Sequence, residues 1–176
     1  HTGYAPVPGT QGLREIVAAH HQTQAQVPTS AENVLITPGA QAALFAAHLA
    51  ACDPHDKALY IDPYYTTYPG MLRALSLNPV AIAAKASDGF QPNGASLNAA
   101  AQGAASLLIN SPNNPTGVVY GQETLEIIAD TCREHDLWLI SDEVYASQVW
   151  SGRHITPRSL PGMKERSLIV GSMSKS

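Results

Sequence analysis

The heptapeptide Ser111–Gly117, SPNNPTG, constrains the fold more than any other stretch of the chain. An apolar run at 105–109 precedes it and predicts a buried strand. A helix is predicted after Tyr120 because apolar residues recur at i, i+3, i+4 and i+7, at Leu125, Ile128, Ala129 and Cys132. The heptapeptide is therefore expected at the carboxyl end of a strand, where open α/β sheets bind ligands. A plain Pro/Asn/Gly turn between strand and helix is the alternative interpretation.

Two later stretches repeat this arrangement. The apolar run 137–140 ends in SDEVY, and the run 167–171 ends in SMSK. Three successive strands are thus predicted to carry an amide, a carboxylate, a phenol and an amine to one edge of a sheet. These side chains are Asn114, Asp142, Tyr145 and Lys175. A pyridoxal phosphate site needs such a set, since it uses a lysine for the Schiff base and a carboxylate for the pyridinium nitrogen.

In this order and at these separations, SPNNPTG, SDEVY and SMSKS resemble the class I/II aminotransferases, which are pyridoxal-phosphate enzymes of fold type I. The resemblance covers essentially the whole chain. It implies an α/β fold with three αβα layers and a mostly parallel sheet. Relatives in this family are much longer, so residues 1–176 are expected to be the cofactor-binding large domain, truncated at both ends, with the small C-terminal domain absent.

The resemblance assigns roles to the convergent set. It implies that Lys175 forms the Schiff base and later moves the substrate α-proton. Asp142 is expected to pair with the pyridine nitrogen and keep it protonated. Tyr145 and Asn114 are expected to hydrogen-bond the cofactor O3′. Asn113 is the neighbouring candidate, and Asn114 is preferred because it directly precedes the Pro-Thr-Gly sequence, with a cis peptide bond expected before that proline.

A second set is expected to hold the cofactor phosphate. Pro38 and Gly39 open a predicted helix that runs to about Ala51. The N-terminus of a helix offers free N–H groups and partial positive charge, and a glycine lets the backbone approach an anion closely. A helix start without a ligand is the alternative. The residues that the resemblance places at the phosphate are Gly39, Ala40, Gln41, Ser172 and Ser174.

Two tyrosines complete the predicted site. The resemblance implies that Tyr65 stacks on the pyridine ring, with Tyr64 and Tyr68 as alternatives, although these rings could also fill the core. Tyr4 opens the pattern Tyr-x-Pro-x-x-Gly-x-x-x-Leu-Arg. In the family this tyrosine reaches the phosphate of the neighbouring subunit, so a homodimer is expected; an ordinary loop tyrosine is the alternative.

Composition and patterning set the remaining expectations. The chain carries 44% hydrophobic and only 14% charged residues, which suits a sheet buried between helices. No basic patch indicates nucleic acid, and no apolar run has the length of a membrane span. The histidines show no metal-ligand spacing. A cytoplasmic enzyme is therefore expected. Strands and helices alternate along the chain, starting with a short strand predicted at 33–37.

The predicted reaction is ping-pong transamination between an amino acid and a 2-oxo acid, carried out by a longer parent chain. The segment 137–175 is similar to enzymes that pair arginine or aspartate with pyruvate or 2-oxoglutarate. The family's substrate-carboxylate arginine lies outside the sequence, so the 176-residue chain alone is expected to be inactive. A lyase or a cyclopropane-forming synthase of the same fold, a ligand-sensing regulator and an inert fragment are the alternatives.

Overall fold

The computed structural model describes residues 3–175, in which strands and helices alternate. The helices are α1 (Gln11–Ala25), α2 (Ala40–Ala51), α3 (Tyr68–Ala74), α4 (Gly94–Ala101) and α5 (Gln122–Glu134). The strands are β1 (Lys57–Asp62), β2 (Asn78–Ala83), β3 (Ala104–Asn110), β4 (Trp138–Asp142) and β5 (Ser167–Val170). Short 3-10 helices lie at Ala31–Asn33, Ala86–Asp88 and Pro157–Ser159.

The five strands form one sheet in the order β2-β1-β3-β4-β5, and every neighbouring pair is parallel. The chain moves from β1 outward to β2, then crosses back to place β3 on the other side of β1. The direction of winding therefore reverses between β1 and β3. Ligands of open α/β sheets bind in the crevice at such a reversal, outside the carboxyl ends of the strands.

Helices cover both faces of the sheet, which confirms the predicted three-layer αβα arrangement. Leu59 and Leu107 face one way and pack in a buried cluster with residues of α4 and α5. Tyr60 and Leu108, the next residue along each strand, belong to a second cluster with residues of α2 and α3. Successive strand residues point to opposite faces, so strands buried on both sides read as the continuous apolar runs found in the sequence.

The two edges of the sheet are the outer strands β2 and β5. Pro79 lies in β2, opposite Ala58 of β1. Proline lacks an N–H and is tolerated in a sheet where it sits on an edge strand. At the other edge, β5 pairs with β4 from Leu139↔Ser167 to Asp142↔Val170.

The strand predicted at 33–37 is wrong. The 3-10 helix takes up Asn33, and residues 34–37 belong to no strand. Ile36 N–H donates to the Pro8 carbonyl at 3.0 Å, and Arg14 Nε donates to the Val34 carbonyl at 3.0 Å. The segment thus pairs with a loop and a side chain, because no strand of the described sheet lies beside it. Its apolar residues resembled a buried strand in composition alone.

Among residues 3–175, no helix combines the length and the apolar character needed to cross a membrane.

Candidate active site

A cavity of about 220 Å³ opens at the carboxyl edge of the sheet. It receives residues from the start of α2, from the segment after β1, and from the ends of β3, β4 and β5, which are the strands on both sides of the winding reversal. Its lining is Ala40, Gln41, Leu44, Tyr65, Tyr68, Asn110, Asn114, Asp142, Val144, Tyr145, Ser172, Ser174 and Lys175. Nine of the eleven predicted site residues therefore lie around one space, and the exceptions are Gly39 and Tyr4.

Asp142 ends β4 and forms a buried wall of the cavity, with 6% of its surface exposed. Its Oδ2 accepts a hydrogen bond from the Tyr68 hydroxyl at 2.6 Å, and its Oδ1 accepts one from the Val144 N–H at 3.2 Å. Burial raises the pKa of this carboxyl, and the two hydrogen bonds oppose that rise. The result is a desolvated carboxylate aimed at a cavity, which suits it to meet a cationic group of a ligand.

Asn114 lies on the cavity and Asn113 does not. The Asn113 side chain is occupied by other contacts: Nδ2 donates to the Pro63 carbonyl after β1 at 3.3 Å, and Oδ1 accepts from Thr116 N and Oγ1 of its own loop at 3.1 and 2.7 Å. Asn114–Pro115 is cis, as expected from the sequence. These contacts favour Asn114 over Asn113 as the ligand-facing amide.

The N-terminus of α2 borders the cavity through Ala40 and Gln41. Gly39 is the residue before the helix and has φ 89° and ψ 163°, a conformation that only glycine adopts readily. The 12-residue helix begins directly after this bend, with its first two residues on the cavity. Gln41 is held in turn, because its Oε1 accepts a hydrogen bond from Thr67 Oγ1 at 2.7 Å. Free N–H groups and the helix dipole at this point favour an anion.

Lys175 lines the cavity at the end of the segment after β5. Its main-chain carbonyl accepts a hydrogen bond from Gln148 Nε2 at 2.7 Å, so the turn after β4 supports the backbone that carries the amine. Ser172 and Ser174 lie on the same cavity. The Ser174 N–H donates to Ser172 Oγ at 3.1 Å, which fixes the two hydroxyl-bearing residues against each other.

Of three neighbouring tyrosines, Tyr65 has the ring available to a ligand. It lines the cavity, is 41% exposed and meets the Tyr68 ring edge-on at 5.9 Å. Tyr64 packs instead against the core residue Tyr60, with ring centroids 4.9 Å apart. The lining residue Tyr145 follows Asp142 by three positions and faces the same cavity.

Tyr4 lies away from the cavity and is fully exposed at 107%. The expected contact of Tyr4 with a cofactor therefore stays a prediction about a neighbouring subunit. Sequence reasoning did not assign Asn110, Leu44 or Val144 to the site, and it considered Tyr68 only for stacking. Asn110 ends β3 directly before SPNNPTG, so its position at a strand end was the available signal.

Behind the site, Glu143 points away from the cavity into a buried polar network. Its Oε2 lies 2.7 Å from His154 Nε2, and its Oε1 accepts hydrogen bonds from Thr156 Oγ1 at 2.8 Å and Ser141 Oγ at 3.0 Å. These contacts fasten the long loop after β4 to the strand that carries Asp142. Within residues 3–175, no group of three or more His, Cys, Asp or Glu side chains could hold a metal ion.

The sequence matches the Aminotransferase class I and II family over residues 1–176. It is 35% identical to an arginine–pyruvate transaminase of Pseudomonas aeruginosa and to an aspartate/prephenate aminotransferase of Thermus thermophilus; each alignment covers 99% of this chain and 45% of the relative. The structure superposes on the aspartate aminotransferase from Thermus thermophilus with maleate at a TM-score of 0.93, 34% identity, 98% coverage of this chain and 45% of that chain. The chain thus spans about half the length of the relatives it matches.

Proposed function

The chain belongs to the class I and II aminotransferase family, and from that membership we propose that it forms the pyridoxal-phosphate site of an enzyme that moves an amino group from an amino acid to a 2-oxo acid. One observation carries the proposal. Asn114, Asp142 and Lys175 come from the ends of three neighbouring parallel strands and line one cavity that the N-terminus of α2 also borders.

The residues present fit this cofactor at each of its chemical groups. The start of α2 offers N–H groups to a phosphate, and Ser172 and Ser174 lie on the same cavity. Asp142 offers a buried carboxylate to the pyridine nitrogen, and Tyr65 offers an open aromatic face. The arrangement matches the needs of an aromatic dianion that carries one basic ring nitrogen.

The chemistry then divides between the cofactor and the chain. When bound, the cofactor supplies an electron sink for the charge left at the substrate Cα. Lys175 Nζ holds the cofactor and, once released, carries the proton to and from Cα. Asp142 keeps a proton on the ring nitrogen. Asn114 and Tyr145 orient the ring by hydrogen bonds to its phenolic oxygen O3′.

The chain is proposed to be the cofactor-binding large domain of a longer parent protein, because it covers 45% of its curated relatives. A small second domain would complete the substrate pocket. Tyr4 is proposed to act on the cofactor of the other subunit of a homodimer, for which its fully exposed ring is free. Amino acid and 2-oxo acid substrates and a cytoplasmic location complete the proposal.

The test uses the full-length parent protein incubated with pyridoxal phosphate. After borohydride reduction, mass spectrometry should find the pyridoxyl group on the peptide that contains Lys175, and the visible absorbance of the bound cofactor should be lost in Lys175→Ala. Lys164→Ala is the matched control, since Lys164 lies exposed in the segment before β5 and away from the cavity. An unlabelled Lys175 peptide in a folded parent would refute the proposal.

Product analysis separates transamination from other chemistry on the same site. An amino acid incubated with a 2-oxo acid should exchange its amino group, leaving one new oxo acid and one new amino acid. Release of ammonia with a 2-oxo acid would indicate elimination instead. The isolated 176-residue chain should show no turnover, and measurable turnover by it would contradict the proposed division between two domains.

A further inference from the structure

A buried hydrogen bond joins two elements at the wall of the cavity. Tyr68 is the first residue of α3, and its hydroxyl donates to Oδ2 of Asp142 at the end of β4 at 2.6 Å. The two residues are 2% and 6% exposed. The side chain expected to meet the cofactor ring thus receives a proton donor from a different layer of the fold.

Few groups support the negative charge of Asp142. Besides Tyr68, the Val144 N–H donates to Oδ1 at 3.2 Å. None of the ion pairs formed within residues 3–175 includes Asp142. A buried carboxylate without a cation is costly unless hydrogen bonds replace its lost hydration. The bond from the Tyr68 hydroxyl is the shorter of the two and therefore carries much of that replacement.

The pKa shifts of Tyr68 and Asp142 decide which of the two donates the hydrogen bond. Burial raises the pKa of the Tyr68 phenol, and the neighbouring charge of Asp142 raises it further, so the hydroxyl keeps its proton and is the donor in its bond to Asp142. Burial also raises the pKa of Asp142, and the bond from Tyr68 lowers it. The other titratable groups around this pair, from every element beside it, are Tyr65, Tyr120, Glu143, Tyr145 and Lys175.

We propose that Tyr68 is a positioning residue for the reaction proposed above: its hydroxyl keeps the Asp142 carboxylate ionised and turned toward the ring nitrogen of the cofactor. The inference rests on the proposed function for the identity of that ring. Without the hydroxyl, Oδ2 loses its donor inside the protein, a larger fraction of Asp142 becomes neutral, and a neutral acid holds a protonated pyridine poorly.

The test is Tyr68→Phe in the parent protein, because phenylalanine keeps the ring in its buried site and removes only the hydroxyl. In the cofactor-free protein labelled with ¹³C at aspartate carboxyls, the Asp142 signal is assigned by its loss in Asp142→Asn. Its titration midpoint should move upward in Tyr68→Phe. Pyridoxal phosphate should bind about tenfold to a hundredfold more weakly, the range for one hydrogen bond to a charged group. A structural role alone would not move the carboxyl titration.

Tyr60→Phe is the matched control. Tyr60 is 6% exposed and belongs to the same buried cluster, and its hydroxyl makes no hydrogen bond to Asp142. The Asp142 titration should stay unchanged in that variant. The wild-type protein gives a second measurement that needs no folded variant: the ¹³Cζ signal of Tyr68 should change with the same midpoint as the Asp142 carboxyl.

An unshifted Asp142 titration in folded Tyr68→Phe, or a flat Tyr68 ¹³Cζ signal across that titration, overturns the role of Tyr68 while cofactor binding by the wild type still stands. A wild-type protein that takes up no pyridoxal phosphate overturns the proposed function, and the positioning role falls with it. The two failures are thus read from different experiments.

Discussion

Asn110 Nδ2 donates a hydrogen bond to the main-chain carbonyl of Asp142 at 3.0 Å. Oδ1 of the same side chain accepts a hydrogen bond from the main-chain N–H of Asn114 at 2.7 Å. One buried side chain at the end of β3 therefore links the two residues expected at the O3′ and at the ring nitrogen of the cofactor. Asn110 is 4% exposed, so both bonds are made by a largely buried side chain.

Replacing Asn110 with alanine should remove both hydrogen bonds that link Asn114 to Asp142. The Asn114 N–H and the Asp142 carbonyl would each lose a hydrogen bond, and one such bond contributes about 0.5–1.5 kcal/mol to the free energy of unfolding. Cofactor affinity should fall as Asn114 and Asp142 lose their fixed separation. Denaturant unfolding and cofactor titration of the parent protein measure both effects.

Asn98→Ala serves as the control for that variant. Asn98 is exposed and accepts one bond, from Thr131 Oγ1 at 3.1 Å, and Thr131 also donates to a helix carbonyl. Its loss should cost about 0.5 kcal/mol or less. Equal losses of unfolding free energy in the two variants would mean that the hydrogen bonds of Asn110 add nothing beyond an ordinary surface contact.

Gly39→Ala tests the bend before α2. A methyl group added at Gly39 would meet no atom within 4 Å, so any cost comes from the backbone conformation, φ 89° and ψ 163°. Holding a non-glycine residue there costs about 1–3 kcal/mol. We expect lower thermal stability together with weaker cofactor binding, because relaxation of the bend turns the first N–H groups of α2 away from the phosphate.

Gly70→Ala is the companion variant, since Gly70 lies inside α3 and also has open space around it. Alanine in a helix is favoured over glycine by roughly 0.5–1 kcal/mol, so this variant should be as stable as the wild type or more so. If Gly39→Ala behaves like Gly70→Ala, the bend is not strained.

His48 should make the protein less stable as the pH falls below neutrality. The ring is fully buried, its Nδ1 lies 2.8 Å from the Leu44 carbonyl, and burial lowers its pKa below the ordinary value of 6.5. The unfolded chain then binds a proton at a pH where the folded chain does not. The free energy of unfolding should therefore decline from about pH 6.5 downward, until the folded-state pKa is reached.

Denaturant unfolding at several pH values measures that slope in the wild type and in His48→Leu, where it should flatten whatever the change in overall stability. His55→Asn is the control, because His55 is exposed and asparagine tolerates its positive φ of 74°. A His48→Leu slope as steep as that of the wild type would place the proton uptake at another group.

Asp142→Asn should stabilise the cofactor-free protein at neutral pH. Burial raises the folded-state pKa of Asp142 above 3.8, so the folded state binds more protons than the unfolded state just above that pH and stability declines as the carboxyl ionises. Asparagine removes that cost while still offering an oxygen to a donor. The gain should vanish below pH 3.8, where both states carry a neutral acid.

The same variant should lose activity in the parent protein, because a neutral amide cannot keep the ring nitrogen protonated. A variant that gains stability and loses activity is expected where a functional residue destabilises the folded protein. Asp88→Asn, at an exposed position, should change neither property. If Asp142→Asn is less stable than the wild type, the hydrogen bonds to the ionised carboxylate contribute more than its burial costs.

Sequence patterns predicted the sheet well because its strands are buried on both faces and read as uninterrupted apolar runs, as in 105–109. The same rule failed at 33–37, where an apolar segment has no neighbouring strand and Leu35 is 56% exposed. Apolar composition alone therefore fixes neither burial nor strand pairing, because both depend on what lies beside the segment.

In the candidate site, too, some features could be predicted from the sequence and others could not. Asn114 and Lys175 were predictable because each closely follows a strand, and strand ends converge in a parallel sheet. The hydrogen bond between Tyr68 and Asp142 joins residues 74 positions apart, and it depends on how α3 packs on the sheet. No local spacing encodes such a contact. Tyr4 stays a prediction because its expected partner is another subunit.

The two edge strands differ in the main-chain hydrogen-bonding groups that they offer to another polypeptide. At β2, Pro79 interrupts the row of donors that an incoming strand would need. At β5, the carbonyls of Arg166 and Val170 accept from β4 and the residue that follows it, so the main-chain groups of the alternate residues Ser167 and Ile169 face outward. The β5 edge is therefore the one that lacks no main-chain donor, and its strand is the one that leads into Lys175.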